Sequence, residues 1–552
     1  MPRAVRIRRQ QGDLSVHAIV GTRVALFGMD VPKEAIDDLM GFAIRRTDHP
    51  GGRTAYLPNF LLFEVNDRGE KSNHSSYANP FQEFLWGDYT LLPERRYTYR
   101  VTAKYGAPGK LRNGDSVELD VRTESETDDR HAVFFNRGVA GSQRYAVKFG
   151  NKTPSQAGDE AFDWLQRGLF DGLKTFIRQA DGPTKGLRAA VYEFTYEPVA
   201  EELANAARVG ADVAIVYDSV KGHKQGYPAV QNAALIEKQG LTAVATRRTR
   251  TTIAHNKFIV LLEEGEPTEV WTGSTNFTEG GVFGQSNVGH IVRDRTVARR
   301  FLDYWVELQR DPERPAARTF NDRTTPTPAR NPPARKSISL FSPRQGLSAL
   351  EWYAGRMDEA QGSVFLTAAF GVSEPIRAIF EKKKPYLRYL LLDKPGEVTT
   401  INRNAGNRAV AGGYLGTGPW RQWLRERLTN LNNHVRFVHT KYMLIDPLGD
   451  DPIVITGSAN FSKASTTMND ENMLVIRGDT RVADIYLGEF MRLFTHFRFR
   501  GKTNTSRNQP IPSADVPGPP RGTKLYLRDT DYWARRFYYE NSARKREREL
   551  FR

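Results

Sequence analysis

Two short stretches of the sequence combine an imidazole and an ammonium group at a spacing that could do chemistry. One is "AHNKFIVL", which contains His255 and Lys257, and the other is "VHTKYMLID", which contains His439 and Lys441. Both stretches are rich in branched and aromatic residues and are predicted to be buried β-strands. Residues two apart on a strand point to the same face, so each histidine should project together with its lysine.

Each stretch is followed about twenty residues later by the pattern Gly-Ser-x-Asn, in "WTGSTNF" and "ITGSANFS". The two patterns contribute four polar side chains: Ser274, Asn276, Ser458 and Asn460. The two histidines are 184 positions apart, and so are the two asparagines. Two chance matches with the same spacing and order are very improbable, so the chain contains an internal repeat.

The repeat doubles a set of groups that suits a phosphate. Together the two copies offer two imidazoles, two ammonium groups and two amides, which can stabilise phosphate oxygens as these gain charge in a transition state. One imidazole can attack phosphorus while the other protonates the leaving oxygen. The set is a poor cage for a hard cation, so we predict no metal and no cofactor. A single histidine in a strand is more often a core residue, but that explanation would have to account for the same set twice.

The segments before these motifs also repeat and predict the fold. "VYEFTYEPVAEELANAARVGADVAIVYD" ends at Asp218, and "LTAAFGVSEPIRAIFEKKKPYLRYLLLD" ends at Asp393. Each has the pattern of a strand, a Glu-Pro pair, a helix and a buried strand that closes on the aspartate. Strands that alternate with helices predict an α/β domain pair in which each mixed or parallel sheet is covered by helices.

Composition and turn signals divide the chain into five predicted segments. The N-terminal part has alternating strand patterns separated by Gly, Pro, Asn and Asp, which are typical of an immunoglobulin- or fibronectin-like β-sandwich. The segments are a β-rich domain (1–155), a first α/β lobe (156–311), a Pro-rich linker (312–337), a second α/β lobe (338–500), and a Pro-rich segment with a basic aromatic tail (501–552).

The paired motifs resemble the two HKD signature motifs of the phospholipase D superfamily, and the resemblance covers roughly residues 160–500. It implies two lobes related by a pseudo-twofold axis with one active site at their seam, so that a monomer suffices. It also implies a metal-independent phosphodiesterase, a hydrolase or transferase that works through a phosphohistidine intermediate. His255 and His439 would be nucleophile and acid. The phosphate ligands would be Lys257, Lys441, Asn276 and Asn460.

The first motif departs from the family pattern, which has an aspartate five residues after the lysine. Asp446 satisfies it in the second half, but Leu262 stands at that position in the first half. The tyrosyl-DNA phosphodiesterases of the family also lack this aspartate, so activity is still expected. We therefore predict that Asp446 supports the structure of its lobe more than the chemistry.

A second asymmetry lies about thirty residues beyond each histidine. The second half has Glu471, whereas the first half has Gln285 and Asn287, and such residues orient the imidazole in this family. A carboxylate stabilises an imidazolium, whereas an amide orients the ring without favouring its charge. We therefore predict that His439, backed by Glu471, is the general acid, and that His255, backed by Gln285 or Asn287, is the nucleophile. Ser274 and Ser458 are expected to support the site.

The bulk composition excludes several classes of protein. The 552 residues include 39% hydrophobic and 26% charged residues and no cysteine, so no disulfide scaffold, thiolate nucleophile or cysteine-bound zinc is possible. No apolar run is long enough for a membrane span, and the N-terminus lacks the apolar stretch of a signal peptide. These features predict a cytoplasmic protein without a membrane span.

The charge favours a polyanionic partner. The formal net charge is +16, and the tail alternates arginine with aromatic residues, which can contact phosphates and stack on bases. The same tail could instead dock its aromatic residues on the protein body. We therefore rank a nuclease acting on DNA or RNA first, phospholipase D-type hydrolysis or transfer of phospholipids second, and an inactive phospholipase D-like binding protein third.

Overall fold

The computed structural model describes residues 6–138, 145, 148–150, 152–220, 227–412, 438–505 and 526–552. Within these residues the chain forms an N-terminal β-sandwich and two α/β lobes. Residues 508–522, which are the Pro-rich part of the predicted segment 501–552, lie outside the described residues, as does Phe437 just before the second His-x-Lys motif. No helix of the described part of the chain is both long and apolar enough to cross a membrane.

The N-terminal unit consists of two four-stranded antiparallel sheets with strand orders β1-β2-β3-β6 and β5-β4-β7-β8. Their strands are β1 (Arg6–Gln11), β2 (Leu14–Val20), β3 (Ala25–Asp30), β4 (Leu39–His49), β5 (Thr54–Tyr56), β6 (Leu85–Asp88), β7 (Arg96–Ala107) and β8 (Lys110–Arg122), and short 3-10 helices cover Lys33–Ala35, Glu64–Asn66 and Gly69–Lys71. Alternate residues of β7, such as Tyr99 and Val101, are buried against Val16 and Phe27 of the other sheet. The predicted sandwich-like domain is therefore confirmed.

The first lobe is built on a seven-stranded mixed sheet with the order β12-β11-β10-β13-β14-β15-β9. Its strands are β9 (His131–Phe135), β10 (Lys185–Val191), β11 (Asp212–Asp218), β12 (Ala245–Arg248), β13 (Lys257–Glu263), β14 (Glu266–Gly273) and β15 (Val288–Val292). Its helices are α1 (Pro154–Ala157), α2 (Asp159–Gln166), α3 (Leu169–Ile177), α4 (Glu197–Arg208), α5 (Ala229–Lys238) and α6 (Arg295–Gln309), with a 3-10 helix at Thr242–Val244 and a π-helix at Gly280–Gly284.

The second lobe has a sheet of the same size, with the order β16-β22-β21-β20-β17-β18-β19. Its strands are β16 (Ser337–Ser342), β17 (Ser363–Ala368), β18 (Leu387–Leu392), β19 (Asn407–Ala411), β20 (Tyr442–Ile445), β21 (Ile453–Gly457) and β22 (Glu471–Arg477). The remaining helices are α7 (Arg314–Thr324), α8 (Ser348–Asp358), α9 (Glu374–Glu381), α10 (Val398–Ile401), α11 (Lys463–Thr467), α12 (Thr480–Thr505), α13 (Tyr532–Arg535) and α14 (Ala543–Phe551), with a 3-10 helix at Pro395–Glu397.

The two sheets share one topology, as the sequence repeat predicts. In each, three parallel strands (β10-β11-β12 and β17-β18-β19) join an antiparallel set through a central antiparallel pair (β10 with β13, β17 with β20). The Glu-Pro pairs open helices α4 and α9, because proline is tolerated in a first turn where its missing N–H is not needed. Strands β10 and β17 each contribute apolar side chains to two different core clusters, so both faces of these strands are largely covered.

The sheet topology moves the predicted boundary of the N-terminal domain. Strand β9 lies within residues 1–155, yet it pairs with β15 at the edge of the first lobe's sheet. It occupies the position that β16 takes in the second lobe, where β16 pairs with β22. The sandwich therefore ends before β9. A single edge strand could not be assigned from sequence, because its pairing partner lies about 150 residues away.

The segment predicted as a linker at 312–337 is partly helical. Helix α7 covers eleven of its residues, with a proline in the first turn, and buries Ala317 and Asn321. The Asn321 amide donates to the main-chain oxygen of Pro343. The sequence did not predict this helix because it has few apolar residues. Its buried residues are the small Ala317 and the polar Asn321.

Helices α6 and α12 lie in the core between the two lobes. Phe301 of α6 and Phe490 of α12 belong to one apolar cluster with residues of both sheets, among them Phe258 in the first lobe and Phe365 in the second. Burial of aromatic side chains at this density stabilises the contact between the lobes by several kcal/mol, at roughly 1.5–3 kcal/mol for each fully buried side chain. The two halves therefore pack around a shared core.

The C-terminal tail is docked on the protein body. Trp533 is fully buried beside the sandwich and donates from its indole nitrogen to the Leu39 main-chain oxygen at 2.7 Å. Phe537 and Phe551 are also buried. The docking alternative is therefore confirmed for residues 526–552, and these buried rings cannot stack on nucleic-acid bases.

Candidate active site

The two histidines are held in equivalent backbone positions just before strands β13 and β20. The N–H of Ala254, which precedes His255, donates to Asp218 at 2.8 Å. The N–H of Val438, which precedes His439, donates to Asp393 at 2.9 Å. The aspartates that close β11 and follow β18 thus anchor the residue before each histidine. The sequence marked these aspartates as the ends of repeated strands without indicating this role.

Main-chain hydrogen bonds attach each histidine to the opposite lobe. The N–H of His255 donates to the Asp470 oxygen at 3.0 Å, and the N–H of His439 donates to the Ser286 oxygen at 3.2 Å. Parallel bridges pair Ala254 with Asp470 and Ser286 with Val438. The seam between the lobes is therefore closed by backbone on both sides of the site.

The imidazoles take their partners from the opposite lobe, so the predicted pairing was wrong. His255 Nδ1 lies 2.8 Å from Glu471 Oε2, and His439 Nδ1 lies 2.9 Å from Asn287 Oδ1. Gln285 and Asn287 were the two predicted partners in the first half, and the contact with His439 is made by the side chain of Asn287. Sequence distance favoured pairing within each half, whereas the pseudo-twofold axis places each partner beside the other half's histidine.

The serines fix the orientation of both partners. Ser458 Oγ donates to Glu471 Oε2 at 2.7 Å, and Ser274 Oγ donates to Asn287 Oδ1 at 2.8 Å. The Asn287 amide nitrogen donates to the Gly281 main-chain oxygen at 2.8 Å. Because that amide is tied at both ends, its oxygen must face His439, whose Nδ1 therefore carries the hydrogen. Because Nδ1 is held by these partners, Nε2 is the ring nitrogen that can act on a substrate.

Lys257 and Lys441 are buried beside the histidines. Their Nζ atoms donate to the main-chain oxygens of His255 at 2.5 Å and His439 at 2.7 Å. Burial lowers the pKa of Lys257 to about 8, although Glu471 and Glu193 oppose that shift. Burial and the charge of Lys257 lower the pKa of Lys441 well below its usual value. A site with two such lysines favours a bound anion, which would restore both ammonium groups.

Burial and the two lysines also lower the pKa of His255 and of His439 well below the usual imidazole value. Burial raises the pKa of Glu471 to about 7. Both histidines are therefore neutral before an anion binds, which suits a nucleophile. A bound phosphodiester would supply the negative charge that lets one of them become an imidazolium.

Asn276 follows β14 and Asn460 follows β21, so the structure places them at equivalent turns. The Asn276 amide nitrogen donates to Glu193. The side-chain oxygens of both asparagines are buried and accept no hydrogen bond from the described residues. Each could accept from a hydroxyl or from water at the site.

Two further residues at the site escaped the sequence analysis. The Tyr192 ring lies 4.9 Å from the His255 ring between centroids, and Lys257 Nζ lies 5.1 Å from the Tyr192 centroid. Glu193 follows Tyr192 and contacts Asn276. Both come directly after β10, and an alignment of the two halves on their Glu-Pro pairs would have drawn attention to them.

A buried ion pair secures the strand end that carries Glu471. Arg248 Nε donates to Asp470 Oδ2 at 2.8 Å, and both side chains are fully buried. Arg248 also donates to Asp311 at 2.7 Å, and Thr251 donates to Asp470 at 3.2 Å. The first lobe thus holds the residue next to Glu471.

Asp446 lies at the far end of β20 from His439 and serves the structure of the second lobe. Its carboxylate accepts the main-chain N–H groups of Gln361 at 2.9 Å, Gly362 at 2.6 Å and Ser363 at 2.9 Å. Leu262 at the matching position of the first lobe is buried. The absence of an aspartate there therefore leaves the groups around the histidines unchanged.

The Asp446→Asn variant is expected to lose stability and keep its activity. Asparagine tolerates the left-handed backbone at this position (φ 48°) but offers one acceptor oxygen to three N–H groups. The free energy of unfolding should fall by about 1–3 kcal/mol, measured by denaturant titration. Asp450→Asn, at an exposed carboxylate nearby, is the control and should change neither property. A large loss of kcat in Asp446→Asn would contradict a structural role.

Among the residues that the structure describes, no three His, Cys, Asp or Glu side chains are arranged to hold a metal ion. The groups that surround the two histidines are lysines, amides and hydroxyls, together with the Glu471 carboxylate that contacts His255. This donor set matches an oxyanion better than a cation.

Known structures include several with a related fold at low similarity. Polyphosphate kinase from Porphyromonas gingivalis is 14% identical over 56% of this chain, with a TM-score of 0.39, and this chain spans 43% of the kinase. Phosphatidylserine synthase from Haemophilus influenzae is 12% identical over 60% of this chain and 84% of its own, with a TM-score of 0.41. The phospholipase D family member Nuc from Salmonella typhimurium is 20% identical over 29% of this chain and 95% of its own, with a TM-score of 0.21.

The sequence itself matches a family model in both lobes. Residues 173–308 and 375–494 match the model described as "Cardiolipin synthase, PLD-like domain". No curated protein matches the chain. Each matched segment contains one His-x-Lys and one Gly-Ser-x-Asn motif, and the fold joins the two sets at one seam. Both lobes therefore contain the PLD-like domain of the phospholipase D superfamily, over residues 173–308 and 375–494.

Proposed function

We propose that the protein is a metal-independent phosphodiesterase that acts through a covalent phosphohistidine. The observation that carries this proposal is the seam itself. There, two imidazoles lie among two buried lysines, and each Nδ1 is held by a partner of different charge, so Nε2 is the nitrogen that can react. The carboxylate of Glu471 and the amide of Asn287 make the two histidines chemically unequal.

His255 is the proposed nucleophile. Its Nδ1–H donates to Glu471, which directs the Nε2 lone pair to the site. When Nε2 bonds to phosphorus, the ring becomes a phosphoimidazolium cation, and the adjacent carboxylate stabilises that charge. This keeps the predicted role of His255 but reverses the argument, because the carboxylate now favours the nucleophile through its product.

His439 is the proposed general acid and then the general base. The oxygen of Asn287 accepts the Nδ1–H of His439 whether the ring is neutral or protonated. Because the amide is uncharged, it does not favour the protonated ring. Protonated Nε2 gives its proton to the leaving oxygen as the ester P–O bond breaks. Neutral His439 then takes a proton from water, whose oxygen attacks phosphorus. The P–N bond breaks and its electron pair returns to His255, so both histidines are regenerated.

The lysines and asparagines would bind the phosphate. Two ammonium groups near a phosphoryl centre stabilise the charge on its non-bridging oxygens. Lys257, Lys441, Asn276 and Asn460 retain the role that the family resemblance implies. Their main-chain and side-chain contacts hold Lys257, Lys441 and Asn276 in place before substrate binds.

Nucleic acid is the first candidate substrate, and a phospholipid is the alternative. The net charge of +16 favours a polyanion. The aromatic tail no longer supports base stacking, because most of its rings are buried in the described residues 526–552. The preference for a nuclease over a phospholipase therefore depends on the net charge, and it is weaker than the sequence suggested. A binding-only protein is disfavoured because both copies of the polar set are complete.

A substrate panel separates these functions. Plasmid DNA, single-stranded DNA, RNA, phosphatidylcholine and a chromogenic bis-phosphodiester are each assayed with and without EDTA. We expect cleavage of a nucleic acid that EDTA does not change and that His255→Ala abolishes. Turnover of lipid alone would favour the alternative, and loss of activity in EDTA would contradict the metal-independent mechanism. If the wild-type protein turns over no substrate, the result would favour the binding-only function.

A further inference from the structure

The pseudo-twofold symmetry of the site is broken where strands β10 and β17 end. Register with the motif strands pairs Ala189 with Ile259 and Leu366 with Met443, and the two partners are 184 positions apart, like the histidines. Counting four residues onward from Ala189 and Leu366, the same alignment matches Glu193 with Phe370. One side of the site therefore carries a carboxylate where the other carries an aromatic ring.

Glu193 is tied into the phosphate-binding groups. Its carboxylate accepts from the Asn276 amide nitrogen and hydrogen-bonds the Tyr227 hydroxyl. Against the burial that lowers them, Glu193 helps to raise the pKa of Lys257 and of Lys441. The side chain is only half-buried, so it stays accessible to a ligand.

A fixed carboxylate at this place repels a phosphodiester anion unless the substrate brings a matching group. One hydrogen of the Asn276 amide binds Glu193, and the same NH₂ group has a second hydrogen that can bind a phosphate oxygen. Two acceptors that share one NH₂ group lie about 5 Å apart. A donor attached to the second carbon from the ester oxygen spans that distance. Phe370, which is 61% exposed, offers an apolar surface on the opposite side.

We propose that Glu193 is a specificity-determining residue that binds a hydroxyl or ammonium group on the second carbon from the ester oxygen, on one side of the scissile phosphate. This inference rests on the proposed phosphodiesterase function and names a feature of its substrate. Two sources have this chemistry, the 2′-hydroxyl of a ribonucleotide and the ammonium of an ethanolamine phosphodiester. The site rejects an analogue without the donor because the negative carboxylate then lies beside the phosphate with no hydrogen bond from the substrate to offset their repulsion.

Two matched pairs of soluble probes test the inference. The dinucleotide UpU is compared with its 2′-deoxy analogue, and glycerophosphoethanolamine is compared with glycerophosphocholine, which has no N–H. Dissociation constants are measured by calorimetry with His255→Ala, so that binding is separated from turnover. We expect the donor-bearing member of at least one pair to bind roughly ten- to a hundred-fold more tightly. The pair that shows the preference identifies the source.

The double variant His255→Ala with Glu193→Gln should bind both members of each pair equally well in the same measurement. Glutamine still accepts from Asn276, so the amide is held while the charge is lost. Glu193→Asp is the second variant, which keeps the charge, shortens its reach and should weaken the preference. Glu197→Gln, at an exposed residue of the same segment, is the control and should leave the ratio unchanged.

The outcomes separate this inference from the proposed function. Turnover that depends on His255 but shows no donor preference in wild type or in Glu193→Gln would overturn the inference alone. If Glu193→Gln weakens both members of a pair equally, Glu193 only positions Asn276 and the inference is also overturned. Absence of binding of all four probes overturns it too, and absence of any turnover by wild type counts against the phosphodiesterase itself.

Discussion

The His255→Ala variant is expected to lose at least about 10⁴-fold in kcat on the substrate that the panel identifies. His439 should not replace it as nucleophile, because its partner Asn287 is an amide and offers no carboxylate to stabilise a phosphoimidazolium. The fold should survive, since the main-chain hydrogen bond from residue 255 to Asp470 does not need the side chain. Single-turnover assays and thermal unfolding of the same preparation measure both properties.

Trapping of the intermediate tests the division of roles. His439→Asn removes the base that activates water, so a substrate with a good leaving group should phosphorylate His255 and stop there. Mass spectrometry of peptides from acid-free digests locates the adduct. Turnover should fall by about 10²–10⁴-fold. An adduct on residue 439 in wild type, or a fully active His255→Ala, would contradict the assignment.

The Arg248→Ala variant is expected to lose about 3–5 kcal/mol of the free energy of unfolding. Asp470 is fully buried, and burial raises its pKa while Arg248 opposes that shift, so without its partner the carboxyl must either stay charged in a buried position or take up a proton, and both cost stability. Its main chain receives the N–H of His255, and its neighbour is Glu471, so loosening this corner should also lower kcat in the protein that remains folded. Urea titration and kcat at a temperature well below the unfolding midpoint measure the two effects.

Two further variants show whether the loss of stability in Arg248→Ala comes from the buried ion pair. Arg250→Ala removes an exposed arginine two residues away and should cost no more than about 1 kcal/mol. The double variant Arg248→Met with Asp470→Asn removes both charges and should recover much of the loss. If Arg248→Ala is no less stable than Arg250→Ala, the buried pair does not hold the seam together.

The internal repeat allowed much of the fold to be predicted. His-x-Lys, Gly-Ser-x-Asn and the Glu-Pro helix starts recur in order, so the sequence determined two α/β lobes and the residue types at their seam. Alternation in the N-terminal part of the chain was enough to predict the sandwich. These features are local patterns, which can be recognised in the sequence without knowledge of the fold.

Other features depended on contacts between residues far apart in the chain. Strand β9 belongs to a lobe only through its pairing with β15, and the tail docks only because the sandwich offers an apolar face. Helix α7 has too few apolar residues to predict. For β9 and the tail, the partner is more than 100 residues away in the chain, and neither composition nor periodicity records it.

The site divides in the same way. The sequence alone determined that two imidazoles, two lysines and two asparagines would meet, because their repeated spacing leaves no other simple explanation. Only the tertiary structure decided which partner each histidine receives. The pseudo-twofold axis exchanges the strand ends between the lobes, so Glu471 reaches His255 and Asn287 reaches His439. Glu193 likewise gained its importance only when β10 placed it against Asn276, since hydrogen bonds follow distance in space and not distance along the chain.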